Sequence, residues 1–341
     1  MNDPKLDYPN EFPVELTPPD ISCFKNTNTG VDYVLSLDSG KSGPHVFISS
    51  IVHGNEPCGA IALDWFLKNN LRPKSGKLTL GFMNVEAYFA FDPKNPNRTR
   101  WVDEDFNRLW AEGVLEDATR KKTSEFLRAN EVKSMISEAD YLLDIHSMQK
   151  PCVPLMMAGM LVKGVEFAKS VDMSMPIISD TGHKEGMRMR DYLGFSRKES
   201  TKNALLVECG QHWEKLSEKI AIETMIRFLR STGTVDKEFG EEFINELSPP
   251  KFEKEVYRVG EIITIKTDNF KFSSDWQGFE VLKKGTVIGQ DDENVINAPY
   301  EETILIMPTK RLFRGKTAVR LAYRYKAVSY THLRAHETEE N

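Results

Sequence analysis

His53-Gly54-Asn55-Glu56 and, far downstream, Asp144-Ile145-His146 place two imidazoles and a carboxylate at the ends of apolar runs. A His/Glu/His set is an N/N/O donor group for one divalent cation. Three protein ligands leave a fourth position for water, which the cation acidifies toward neutrality. The donor types favour zinc, with cobalt or manganese able to substitute. Glu208 closes the apolar run Leu205-Leu206-Val207 and is followed by Cys209-Gly210. It is not needed to complete the metal set. Its candidate task is proton transfer, with a salt-bridged structural glutamate as the alternative. Asp144 lies two residues before His146, on the same side of a strand, where it could accept from an imidazole and orient it.

A second group is the stretch 98–108, RTRWVDEDFNR, which follows the Pro- and Asn-rich loop DPKNPN. Guanidinium forks bind carboxylates bidentately, and an amide beside one adds direction. The functional reading is a clamp for a carboxylate-bearing substrate, with one arginine near the reacting carbonyl. The alternative is a solvated loop of mixed charge. Among the other histidines, His45 opens a strand, His183 sits in a Gly-containing loop and is a candidate to line a pocket, and His212 reads as structural. Cys58 and Cys209 lie beside the site residues and read as small packed residues rather than catalytic thiols.

These groups need elements to hold them. Residues 45–52, 77–85, 141–145 and 204–207 read as strands. Residues 59–68, 122–139, 164–171 and 213–229 carry helical spacing. Strand and helix in turn imply an α/β domain with a mixed, largely parallel sheet flanked by helices, and ligands bind at the ends of such strands. Residues 1–30 read as an irregular arm and 31–248 as the catalytic unit. Pro249-Pro250 then breaks the pattern, and 255–266, 279–287 and 303–308 read as strands of a smaller β domain over 249–326. The run 327–341 has no apolar period and resembles translated adapter sequence. It is read as non-native, and the spacing of His332 and His336 carries no metal argument.

The chain has 341 residues, enough for a substantial core. A net charge of −6 argues against nucleic acid as the main partner. No run is long enough to span a bilayer, and the Pro-rich start carries no signal-peptide pattern. The four cysteines show no close pairing. Cytoplasmic residence with reduced thiols is the expectation, with homo-oligomerisation left open.

Taken in order, HGNEPCG, NPNRTRWVDEDFNR, DIHS and VECG resemble the succinylglutamate desuccinylase/aspartoacylase family, a branch of the zinc carboxypeptidase-like hydrolases. The resemblance spans roughly residues 40–325. It implies a carboxypeptidase-like α/β fold followed by a β domain that covers the site. At matching positions it implies zinc ligation by His53, Glu56 and His146, with Glu208 as general acid/base. It further implies that Arg100 polarises the scissile carbonyl while Asn107 and Arg108 hold the substrate carboxylate. The family also carries an arginine about ten residues before the catalytic glutamate, for which Arg197, beside Lys198, is the candidate here. Tyr300 is the candidate for a tyrosine supplied by the β domain. The reading is a zinc-dependent amidohydrolase with one Zn2+ per chain, removing an acyl group from a small N-acyl amino acid or related amide. A peptide-cleaving metallocarboxypeptidase and a metal-binding non-enzyme are the alternatives.

Overall fold

The computed structural model describes residue 6 and residues 9–325. The run 327–341, read above as non-native, lies outside the described residues. The first half of the chain alternates as expected. Strands β1 (Val34–Asp38), β2 (His45–Ser50) and β3 (Lys77–Phe82) accompany helices α1 (Cys58–Lys68) and α2 (Val85–Phe89). Helix α3 (Ser124–Glu138), β4 (Tyr141–Met148), β5 (Leu155–Met157), α4 (Val162–Val171), β6 (Ile177–Ser179) and β7 (Asn203–Gln211) follow. Helices α5 (Lys215–Ser231) and α6 (Glu241–Leu247) complete this part.

Strands β3, β2, β4 and β7 pair in parallel, in that order. β1 adds antiparallel to β3, and β5 antiparallel to β7. The apolar strands are continuous because both faces are covered. Val46, Ile48, Leu143, Ile145, Leu205 and Val207 share one core with α1, α4 and α5. Phe47, Leu142 and Ala204 pack with Phe126, Ala129, Val132 and Ile136 of α3. Those four residues recur every three to four positions and form the helix's apolar stripe. Thr123 caps α3 by accepting from the Phe126 N–H. The period of two along a strand then decides the site. With Leu143 and Ile145 facing α1 and α5, Asp144 and His146 must face the other way, and Glu208 likewise opposes Val207.

Two strands run further than expected. β4 continues to Met148 and β7 to Gln211, so His146 and Glu208 sit inside their strands and are register partners. The register shifts just beyond them, between His146 and Met148.

Beyond Pro249-Pro250 come β8 (Val256–Thr264), β9 (Lys271–Phe272), β10 (Val281–Leu282), β11 (Val287–Asp291), β12 (Asn294–Asn297), β13 (Thr303–Ile306) and β14 (Thr317–Arg324). The expected strand over 279–287 is divided by the turn at Gly285, whose φ is +84°. Strands β8, β14, β13 and β10 do not form a separate sheet. β6 pairs in parallel with both β5 and β8, which joins them to the first half in one eleven-stranded sheet. Among the described residues, β9, β11 and β12 alone stand apart, as a three-stranded sheet. The described part of the N-terminal segment is tied to the body by Leu16 and Ile21, which are buried in the main core. Each such side chain contributes on the order of 1.5–3 kcal/mol relative to exposure. Among the described residues no helix is long and apolar enough to cross a membrane.

Candidate metal centre

The HGNE turn bridges β2 and α1. Gly54 is required there: a Cβ would collide with the backbone of Ala87 and of Thr99. The Gly54 N–H donates to the Arg100 carbonyl oxygen at 3.0 Å, which docks the turn on the 98–108 loop. His53 Nδ1 lies 2.8 Å from Glu56 Oε1, and His146 Nδ1 lies 3.0 Å from Glu56 Oε2. The ligand atoms of the three residues fall within 4.8 Å of one another, and all three residues are buried. The far side of each ring meets a carboxylate. His53 Nε2 is 3.0 Å from Asp105 and His146 Nε2 is 2.9 Å from Asp144. Asp144 also accepts from Ser49 Oγ at 2.7 Å.

This geometry fits a divalent cation. With each Nε2–H given to an aspartate, both Nδ1 lone pairs and a Glu56 oxygen converge on one point. Electrostatics agree. Burial works to raise the Glu56 pKa, but the charges and hydrogen bonds of His53 and His146 overcome it and hold the carboxylate well below its ordinary range. Burial works to lower the His146 pKa, yet Asp144 and Glu56 hold it well above the usual imidazole value. The site is built to stabilise positive charge.

Glu208 projects from β7 opposite His146. Burial pushes its carboxyl up, the nearby His146 pulls it down, and Glu56 pushes it up again, for a balance at about 8. Among the described residues its Oε2 has no hydrogen-bond partner. A buried carboxyl that exchanges its proton near neutrality and carries an open oxygen suits general acid–base work.

The remaining sequence candidates are placed unequally. Arg100 donates from Nη1 to Glu56 Oε1 at 2.8 Å and lies 3.0 Å from His53 Nε2 through Nη2. Asn107 puts its amide nitrogen 3.4 Å from His146 Nε2 and accepts the Met189 N–H at 2.8 Å. Arg108 lines the cavity beside Asp105 and Glu185, at 3.7 and 3.5 Å. Arg197 is not brought to the site. It is exposed and pairs with Glu112 at the surface. The loop around it is gathered from inside by Lys163 Nζ, which donates to the carbonyls of Gly194, Arg197, Ser200 and Lys202 and leaves the Arg197 side chain facing out. Tyr300 packs on Tyr323 and does not line the cavity. Cys58 and Cys209 are buried, and burial together with Cys58 holds the Cys209 thiol well above its usual range.

Sequence reasoning missed several residues. Asp105 stood in the quoted motif, but nothing in the text showed that its carboxylate would reach back to His53. Arg188 is buried and paired with Asp180 and Asp191, each at 2.8 Å. Arg320 reaches in from β14, 2.8 Å from His183 Nε2 and 3.3 Å from Asp180. A charge set between the apolar Val319 and Leu321 of a strand was the available signal. The cavity measures about 120 Å³, and its lining includes Arg100, Arg108, Lys150, Arg188, Arg311 and Arg320 against two carboxylates, Glu56 and Glu208. Such a lining favours an anionic ligand.

Residues 42–231 match the model of the succinylglutamate desuccinylase/aspartoacylase catalytic domain. A succinylglutamate desuccinylase of Pseudoalteromonas atlantica is 22% identical over 292 residues, covering 82% of this chain and 81% of that protein. The crystal structure of the succinylglutamate desuccinylase from Chromobacterium violaceum superposes with a TM-score of 0.63 at 17% identity, covering 88% of this chain and 91% of that one. The corresponding enzyme of Vibrio parahaemolyticus gives 0.61 at 17% identity, covering 86% and 87%.

Proposed function

The chain belongs to the succinylglutamate desuccinylase/aspartoacylase family, whose members hydrolyse amides, and from that premise we propose that it is a zinc-dependent deacylase of small, carboxylate-bearing N-acyl amino acids. The observation that carries the reading is the pairing, across β4 and β7, of a metal-ligand set with a carboxyl poised at about 8. His53 Nδ1, Glu56 and His146 Nδ1 would hold one zinc, with Asp105 and Asp144 fixing the two rings. Zinc bound there supplies Lewis acidity toward the amide carbonyl and acidifies water.

The chain's own residues do the rest. Glu208 takes a proton from the attacking water at its open Oε2 and hands it to the leaving amine nitrogen, so the acyl group departs as a carboxylate and the amine is released. Arg100 turns its guanidinium to the carbonyl oxygen as negative charge grows there. Asn107 and Arg108 hold the amino acid's carboxylate, and Arg320 takes the part expected of Arg197. The small cavity, walled on one side by Met307, Pro308, Thr309 and Arg311 from the C-terminal segment, suits a small amide better than a peptide. The lack of a close cysteine pair in the sequence supports a cytoplasmic setting.

The test is amine release by the zinc-loaded protein from a panel of N-succinyl, N-acetyl and N-formyl amino acids. Turnover of at least one, abolished by chelation and restored by zinc, is expected. Cleavage of C-terminal residues from peptides, with none of the panel turned over, would replace this reading with a carboxypeptidase.

A further inference from the structure

The N-terminal stretch 9–16 has no part in the scheme above, yet its first residues wall a second cavity, of about 220 Å³, beside the first. The stretch is fastened at two points. The N–H groups of Glu15 and Leu16 donate to the Trp213 carbonyl oxygen at 3.0 and 3.2 Å, and the Glu15 carboxylate accepts the Lys215 N–H at 3.0 Å. Further out, Glu11 pairs with Lys310, whose Nζ stands 5.1 Å from the centroid of the Phe12 ring.

The two cavities share their boundary. Gln149 lines both. Trp213 of the outer cavity follows His212 of the inner one, and Lys310 of the outer cavity lies between Thr309 and Arg311 of the inner one. The boundary is held in place. The Gln149 carbonyl oxygen accepts from Gln211 Nε2 at 3.2 Å, and Trp213 Nε1 donates to the Asn55 carbonyl oxygen of the HGNE turn at 3.1 Å.

Their charge differs. In the inner cavity six cations face two carboxylates. In the outer one the charges, among the described residues, are Glu11 and Lys310, which answer each other, while Pro9, Phe12 and Trp213 supply apolar faces. Such walls offer nothing to a second carboxylate and favour burial of an uncharged, apolar group.

Which half of the amide reaches the outer cavity follows from the chain. From His146 the chain runs through Met148 to Gln149, on the shared boundary. The residues assigned to the amino acid half stand in another cluster. Arg108 is 3.5 Å from Glu185, and Arg320 is 2.8 Å from His183, which is 3.2 Å from Thr317. None of these lines the outer cavity. We propose that the outer cavity is a subsite for an uncharged, apolar acyl chain of several carbons, with Phe12 as a specificity-determining residue. This rests on the deacylase reading above.

The experiment compares N-acetyl with N-hexanoyl derivatives of one accepted amino acid on the zinc-loaded full chain. Burial of the added methylenes should raise kcat/KM in wild type about tenfold, mainly through a lower KM. Phe12→Ala should remove most of that gain, and Phe12→Leu, which restores an apolar side chain, should recover part of it. With the extension moved to the other half, N-acetylalanine against N-acetylnorleucine, the ratio should not depend on Phe12. Calorimetric titration of free hexanoate into the same proteins should show weaker binding in Phe12→Ala. Melting curves establish that the variants fold. A wild-type preference for the acetyl derivative overturns the proposal, as does a hexanoyl-to-acetyl ratio that Phe12→Ala does not move. A dependence on Phe12 confined to the norleucine pair also overturns it, because the cavity would then serve the amine half. If wild type turns over no N-acyl amino acid, the deacylase reading has failed. Hexanoate binding then decides the cavity: dependence on Phe12 keeps it as an apolar site, and independence discards it.

Discussion

Glu56, in the turn after β2, and Glu208, on β7, are buried at the same centre and carry opposite chemistry. Glu56 is wrapped by His53, His146, Arg100 and the Ser147 N–H, at 2.8, 3.0, 2.8 and 3.1 Å. Its charge is fully answered and its pKa falls. Glu208 has an oxygen without a hydrogen-bond partner among the described residues, and its pKa rises to about 8. Under the proposed function, two identical side chains thus divide into a ligand and a base through the donors each strand end supplies. The lesson is that role is read from partners rather than from residue type or burial.

The largest effect should come from the ligand side. His146→Ala removes one of three donors, and zinc analysis of the purified variant should show loss of the tightly held equivalent together with essentially all activity. A full equivalent retained would dissolve the comparison. Glu208→Gln should keep zinc and substrate affinity yet lower kcat at least about a hundredfold. Loss of zinc from that variant would make both glutamates ligands. Asp105→Asn tests the support behind the ligand set. It should weaken zinc affinity about 10- to 100-fold, measured by chelator competition, because the His53 ring loses its orienting carboxylate. Arg108→Lys should cost less, a severalfold rise in KM for a carboxylate-bearing substrate, since an ammonium cannot copy the fork. An unchanged KM would return Arg108 to the solvated loop.

The smallest effect sharpens the comparison most directly. In metal-free protein the two glutamates should pull stability in opposite directions with pH. Glu56 has a lowered pKa in the fold, so its contribution is present above the ordinary carboxylate range and is lost as pH falls. Glu208 has a raised one, so its contribution is present below about 4.5 and is lost as pH rises toward about 8. Glu208→Gln mimics the protonated form. Its melting temperature should therefore gain on wild type by a few degrees between those limits and stay parallel above them. A gap that does not change with pH would show that Glu208 does not titrate in that window.

The parts of this arrangement that were legible in the sequence share a cause. His53, His146 and Glu208 come at the ends of apolar runs and Glu56 in the turn just after one, and a buried polar group there has few reasons to be present other than a site. The parallel strands were legible because both faces are buried, leaving continuous apolar text. What was illegible depends on contacts between distant segments. β5 and β6 are three residues each, too short to carry a period, and the register Ile177↔Val256 cannot be seen in either segment alone. Arg197 was singled out by its distance from Glu208 along the chain. Its orientation is instead decided by Lys163, which no local pattern announces. Arg188 and Arg320 look like ordinary charges until Asp180 is found between them.

The β6–β8 ladder has a mechanical consequence. Hydrogen bonds run without a break from β2 and β4, which lead into or carry the proposed metal ligands, to β14, which carries Arg320. A hinge between the two parts would have to tear that ladder, so the sheet resists opening and transmits twist instead. Met307, Pro308, Thr309 and Arg311 line the cavity from a segment that adjoins this sheet. Under the proposed function, the fit of a small amide would then be set by the frame of the resting protein, before any substrate arrives.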